Sequence, residues 1–216
     1  MTPGGLRYDR FIVNGRDEWL TAVGPPEAPA LLFLPPLFEE LNRTRALLLR
    51  VMRALAAKGW RSVLPDLPGT GESEVRLETV EWRHWRDAAT AAEEAVRPAA
   101  CVSLRGGALL DDVAPRRWRL SPVNGAALAR DLDRSGLFGA GGGYAPSPTL
   151  LDALRAAAPA EGDVRTMRLA SDPAPADVKT DAPPPWRRAE PAAFPALATA
   201  MADDIALWIG PCPAAS

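Results

Sequence analysis

The segment Cys101-Val102-Ser103-Leu104-Arg105-Gly106-Gly107 runs from an apolar stretch into small residues, Gly106-Gly107-Ala108-Leu109-Leu110. A strand that turns this sharply into a helix can hold a serine at its tip, in the pattern Gly-x-Ser-x-Gly, for attack on an acyl carbonyl. In this chain Ser103 takes the place of the first Gly and Arg105 that of the nucleophile. A guanidinium stays protonated and has no lone pair to offer, so Arg105 cannot attack. Ser103 lies two residues early, inside the strand and on the same face as Arg105. Without a base beside it, Ser103 reads as a small packing residue and not as a displaced nucleophile.

Serine chemistry also needs a carboxylate after a late strand and a histidine beyond it. Asp172 follows a predicted strand, Val164–Ala170, and stands where the acid could sit. The only histidine, His84, lies in a predicted helix before the turn. A nucleophile–histidine–acid set is therefore absent from the sequence.

Carboxylates and the arginine offer different chemistry. Glu39 and Glu40 follow a buried strand, Asp66 ends the next, and Arg105 ends a third. In open parallel sheets these ends share one edge, and ligands bind in its crevice. At least two carboxylates and one guanidinium are expected to converge there. A helix starting at Arg105 would put a positive dipole end beside a cation, so an anion must compensate. Glu39, Glu40 or Asp66 could supply it in a bidentate pair. Three readings stay open. An ion-pair network fills an old pocket; or Arg105 and the amides of Gly106 and Gly107 receive a ligand's phosphate or carboxylate; or Glu39 or Glu40, crowded and desolvated, acts as a general base. Arg43 is expected in solvent, and Arg45 to brace Glu39 or Glu40. Trp82, Trp85 and Trp186 would either line a sugar or lipid site or simply pack.

The elements that must position these groups follow from patterning. Leu6–Val13 and Glu18–Val23 read as a hairpin around Asn14-Gly15. Ala30–Leu34 reads as a strand buried on both faces, and Leu41–Lys58 as a helix ending at Gly59. Trp60–Leu64 is a strand, Glu78–Val96 a helix, and Ala99–Leu104 and Arg116–Leu120 are strands. Ser147–Ala158 reads as a helix and Val164–Ala170 as a strand, and an amphipathic helix closes the chain over Pro191–Ile209. This alternation predicts an α/β fold with a doubly wound, mostly parallel sheet and little or no cap. Pro173–Pro185 is too short and proline-rich for a crossover helix, leaving a missing crossover or an irregular last strand.

With 216 residues, the chain is expected to form one domain over 1–216, with a Gly-rich loop at 136–148 and a tail at 210–216. A net charge of −2 without a basic stripe argues against nucleic acid. Only Lys58 and Lys179 are lysines among 25 basic residues, a bias expected of a GC-rich genome. Cys101 and Cys212 have no disulfide or metal-ligand spacing. No metal and no cofactor are expected. The N-terminus shows no signal peptide, and the longest apolar run, Ala30–Phe38, cannot span a membrane. A cytoplasmic location is the default expectation, and the partner would be a small molecule or another protein.

Several segments match one known pattern. Leu32–Arg45 (LFLPPLFEELNRTR) resembles the signature PFAEEMNKSRR, and Asp66–Ser73 (DLPGTGES) is similar to DLYGCGDS. Leu104–Leu110 (LRGGALL) is similar to GLRxGALL, Ser121–Gly125 (SPVNG) to QPVxxG, and Pro183–Trp186 with the helix after it to a GPPFW segment and closing helix. Together they resemble the exosortase A system-associated hydrolases of the second type, an α/β-hydrolase-like group. The match is collinear over most of the chain. It implies an α/β-hydrolase fold and a setting among genes for exopolysaccharide production and exosortase-dependent sorting. Arginine at the elbow belongs to that pattern. Ser103 replaces the pattern's first Gly, Thr70 its Cys, and the segment after Ala170 is shorter, which alters the rear of the pocket. The resemblance implies a hydrolase that lacks a Ser-His-Asp triad; a non-catalytic protein binding an anionic ligand or a protein partner is the alternative.

Overall fold

The computed structural model describes residues 5–135, 145–188 and 194–212. Residues 136–144 of the expected Gly-rich loop, the start of the expected closing helix at 191–193 and the last residues of the tail lie outside them.

β1 (Leu6–Val13) and β2 (Arg16–Val23) pair antiparallel. Their two-residue turn puts Asn14 and Gly15 at φ of 49° and 79°. This left-handed pair matches the twist of the strands, and Asn-Gly is the dipeptide that tolerates it. β3 (Ala30–Leu34), β4 (Arg61–Pro65), β5 (Ala100–Leu104), β6 (Arg116–Leu120), β7 (Asp163–Leu169) and β8 (Val178–Thr180) complete an eight-stranded sheet in the order β1-β2-β4-β3-β5-β6-β7-β8. All neighbours from β4 to β8 run parallel. Every residue of β3 and β5 is buried; β3 is apolar throughout and β5 apolar but for Ser103.

Helices cover both faces. α1 (Glu39–Ala56) and α5 (Pro195–Ile209) bury Leu48, Met52, Met201 and Ile205 against Phe33, Val102 and Trp118. α2 (Trp82–Val96), α3 (Gly125–Ser135) and α4 (Pro148–Ala156) pack Trp85, Leu128 and Leu150 against Leu32, Leu34 and Cys101. α1 stops at Gly59 (φ 89°), where the Gly59 and Trp60 amides donate to the carbonyls of Ala56 and Leu55. That double bond is the usual glycine-dependent helix ending. Among the described residues no helix is long and apolar enough to cross a membrane.

The order reverses at β3. The chain goes from β3 to β4 on one side, then passes over to β5 on the other. The loops leaving β3 and β5 therefore diverge and open a crevice at the carboxyl edge.

The structure departs from the sequence reading in two places, after β5 and at α3. No α-helix follows β5; 3-10 turns at Arg105–Leu109 and Asp111–Val113 lead straight to β6. The Gly pair favours helix poorly, and the tight path drops Asp111 onto the sheet. There Asp111, fully buried, accepts from Arg119 Nε and Nη2 at 2.8 and 2.7 Å and from Ser103 Oγ at 2.7 Å. α3 is not among the helices expected from the sequence, although Leu128, Ala129 and Leu132 give it a buried apolar face. β8 is a three-residue strand parallel to β7, reached without a helix. The connection retraces only three residues, roughly 10 Å, so a long crossover is unnecessary.

Arg119→Ala strands the Asp111 carboxylate in the core. Urea unfolding is expected to show a loss of about 3–5 kcal/mol, and a loss below about 1 kcal/mol would mean the pair is dispensable.

Candidate active-site crevice

Arg105 sits at φ 53°, in the left-handed region that a non-glycine residue enters only under strain. Two residues on, a Cβ at Gly107 would overlap the carbonyls of Leu34 and Pro35, so the turn presses against the end of β3. At Gly106 a Cβ would meet only the side chains of Leu128 and Leu37. The chain thus makes a sharp elbow and sets an arginine at its tip. Because the elbow leads into a five-residue 3-10 turn, no helix dipole acts on Arg105; its need for an anion comes from burial.

Phe38 (φ 58°) precedes α1 and turns its ring edge to Trp85, 5.2 Å between centroids. This anchors Glu39 and Glu40 in the first helical turn. Consecutive helical residues point roughly 100° apart, so only one of them faces inward. That one is Glu40. Arg105 Nε donates to its two carboxylate oxygens at 3.3 and 3.2 Å, and Nη2 donates to Oε1 at 3.1 Å. Arg105 Nη1 reaches the Ser121 carbonyl at 3.5 Å, and Asp131 Oδ2 lies 3.9 Å from Nη2. The guanidinium also stacks on Trp186, 4.5 Å from the ring centroid. The two side chains are only 11% and 16% exposed, which separates this pair from weak surface ion pairs. Burial raises the Glu40 pKa above the ordinary value; Arg105 and Arg43 lower it only in part, and Asp131 adds to the rise.

The other residues named from the sequence scatter. Glu39 stays on the rim, 3.5 Å from Arg43 Nε, and accepts from Asn42 Nδ2 at 3.4 Å. Arg43 is not simply solvated: its Nη1 donates to the Trp186 carbonyl at 3.2 Å and holds that tryptophan in place. Arg45 braces neither Glu39 nor Glu40. It lies roughly 140° round the helix from Glu40 and exerts its field on Asp66. Asp66 accepts from the Glu72 amide at 3.1 Å, and burial raises its pKa. It ends β4, two strands from β5 and so roughly 10 Å to the side. Arg105 makes no ion pair with it. Of the predicted set, the structure brings Glu40, Arg105 and the adjoining Gly106 together. Asp131 and Ser121 join them without having been foreseen: Asp131 because α3 went unrecognised, Ser121 although its place at the end of a parallel strand was a usable signal.

No serine-hydrolase set forms among the described residues. His84 Nδ1 accepts from the Glu81 amide at 3.1 Å and caps α2. Ser103 is bound to Asp111 in the core. Asp172 is 2.6 Å from Arg168 Nη1 and accepts from the Ala174 amide; burial pushes its carboxyl up, but these partners hold it below the ordinary value. Trp85 is fully buried and donates to the Pro68 carbonyl, with Trp82 packed edge-on against it. Only Trp186 of the three tryptophans reaches the crevice. Among the described residues no His/Cys/Asp/Glu group could hold a metal ion.

Among the described residues, two cavities open beside Arg105. The larger, about 430 Å3, is lined by Leu37, Leu128, Leu132 and Trp186 together with Glu39, Glu40, Asp131 and four arginines, Arg43, Arg105, Arg134 and Arg187. The smaller, about 270 Å3, shares Arg105, Trp186 and Arg187 with it.

Known proteins share this architecture. A protein of Agrobacterium vitis S4 described as "Putative hydrolase" aligns over 97% of this chain and 100% of its own, with a TM-score of 0.61 and 16% identity. The thioesterase domain from the curacin biosynthetic pathway aligns over 95% and 99%, with a TM-score of 0.57 and 14% identity. The chain has the α/β-hydrolase fold. No protein-family model and no curated protein matches it.

Glu40→Gln is expected to change the pH dependence of stability. A carboxyl raised in the folded state favours folding while protonated, and loses that contribution as pH climbs from the ordinary 4.5 through the folded value. Unfolding measured from pH 4 to 8 should show the substitution costing more at the acid end. A cost that grows with pH would contradict the assignment.

Proposed function

We propose that this α/β-hydrolase-fold protein serves an exopolysaccharide/exosortase system by binding an anionic small molecule in the Arg105 crevice, without forming an acyl-enzyme. The supporting observation is Arg105 itself. A strained elbow, the usual seat of a nucleophile, presents a guanidinium beside an open cavity of about 430 Å3. That cavity falls within the range of small-molecule sites and combines an apolar floor with convergent charge. Its four arginines outnumber its three carboxylates. The exopolysaccharide setting comes from the collinear sequence resemblance, and the fold by itself does not decide activity.

A second reading rests on one observation, the raised pKa of Glu40 beside the cavity. A desolvated carboxylate can act as a general base toward water, which would make the protein a hydrolase without a covalent intermediate. Arg105 already donates to both Glu40 oxygens, so the first reading fits the geometry better.

An ester and thioester panel separates the two. Under the binding reading, wild type, Glu39→Gln and Glu40→Gln hydrolyse every substrate at the same background rate. Calorimetry with organic anions should then show saturable binding that weakens by about tenfold or more in Arg105→Leu. A wild-type rate above background that falls in Glu40→Gln alone would transfer the function to the second reading.

A further inference from the structure

We infer that the chamber behind Trp186 is an oxyanion subsite, gripped by Arg187 and Arg105 and met by the hydroxyl of Ser121. It would take the phosphate or carboxylate head of a ligand whose apolar body fills the larger cavity; the inference rests on the anion-binding reading above.

The chamber, about 270 Å3, includes Arg105, Ser121, Ser171, Asp172, Trp186 and Arg187 in its lining. Its charges do not cancel. Asp172 is neutralised by Arg168, which is outside the lining. Arg105 gives Nε and Nη2 to Glu40 but spends Nη1 only on a long, 3.5 Å contact with the Ser121 carbonyl. Arg187 lines both cavities, is exposed, and has no ion pair among the described residues. Arg187 thus brings an unanswered guanidinium to one small space, beside the Nη1 edge of Arg105 that Glu40 leaves free.

Ser121 is the independent observation. It is 1% exposed, and its Oγ has no hydrogen-bond partner among the described residues. A folded interior rarely leaves a hydroxyl unmet, and such a group calls for an explanation. An oxyanion supplies the missing acceptor while taking two charge-assisted donors from the arginines.

Trp186 divides the head from the body. Arg43 fixes its backbone and Arg105 stacks on its ring. Trp186 lines both cavities, and the larger one alone adds the apolar surface of Leu37, Leu128 and Leu132. The ligand class is therefore an amphiphilic oxyanion.

Calorimetry on the full chain with octyl phosphate, octanoate, octanol and inorganic phosphate tests this. Octyl phosphate or octanoate should bind, with octanol and inorganic phosphate weaker because each lacks one half of the recognition. Arg187→Ala should weaken the octyl oxyanion by about tenfold or more and Ser121→Ala by about threefold, with octanol binding unchanged in Ser121→Ala and weakened less than the oxyanion in Arg187→Ala. Ser121→Ala should keep or raise the melting temperature, since it removes an unmet hydroxyl. Oxyanion binding that falls in Arg105→Leu but survives both Arg187→Ala and Ser121→Ala would overturn the subsite and leave the anion-binding function standing. No oxyanion binding in wild type would overturn both.

Discussion

Everything at the carboxyl edge of this sheet depends on one buried ion pair, Arg105 with Glu40. Arg105 is forced to the tip of a strained turn because Gly107 lets the chain press against the end of β3. Glu40 is forced inward because Phe38 anchors the start of α1 in the opposite core. Neither charge could be buried without the other, since a lone desolvated ion costs several kcal/mol. The pair therefore fixes the loop after β3 against the loop after β5, across the point where strand order reverses.

A buried ion pair need not add stability over a well-packed apolar contact. What this one provides is a defined charge in a defined place. Its donors are only partly used, and Trp186 is stacked against it. Beneath the elbow a second buried group, Arg119 with Asp111 and Ser103, holds the turn from the other side. The elbow is thus braced above and below by charge, where a serine hydrolase would have a hydroxyl backed by an imidazole.

The sheet was largely legible in the sequence. Asn14-Gly15 announces the hairpin, the apolar run of β3 and the nearly apolar one of β5 announce central strands, and Gly59 marks the end of α1. The elbow was legible as a turn but not as a 3-10 path, because Gly106-Gly107-Ala108-Leu109-Leu110 has helical spacing and the ion pair of Asp111 with Arg119, eight residues on, leaves no mark in that spacing. Glu39 and Glu40 could not be told apart without the anchoring of Phe38. Asp66 looked equivalent to them because strand ends carry no lateral position in sequence; only the order β4-β3-β5 sets it aside. The parts of Arg187 and Ser121 are not legible in the sequence for a similar reason: their meaning lies in which partners they lack.

Arg105 with Glu40 holds the nucleophile's place at the elbow, and no serine of the crevice is expected to be activated. Intact-mass analysis after incubation with an alkyl fluorophosphonate, which phosphonylates activated serines, tests this most directly. The mass is expected to stay unchanged under conditions that label a serine hydrolase fully. A stoichiometric adduct on Ser103 or any other serine in the crevice would contradict it.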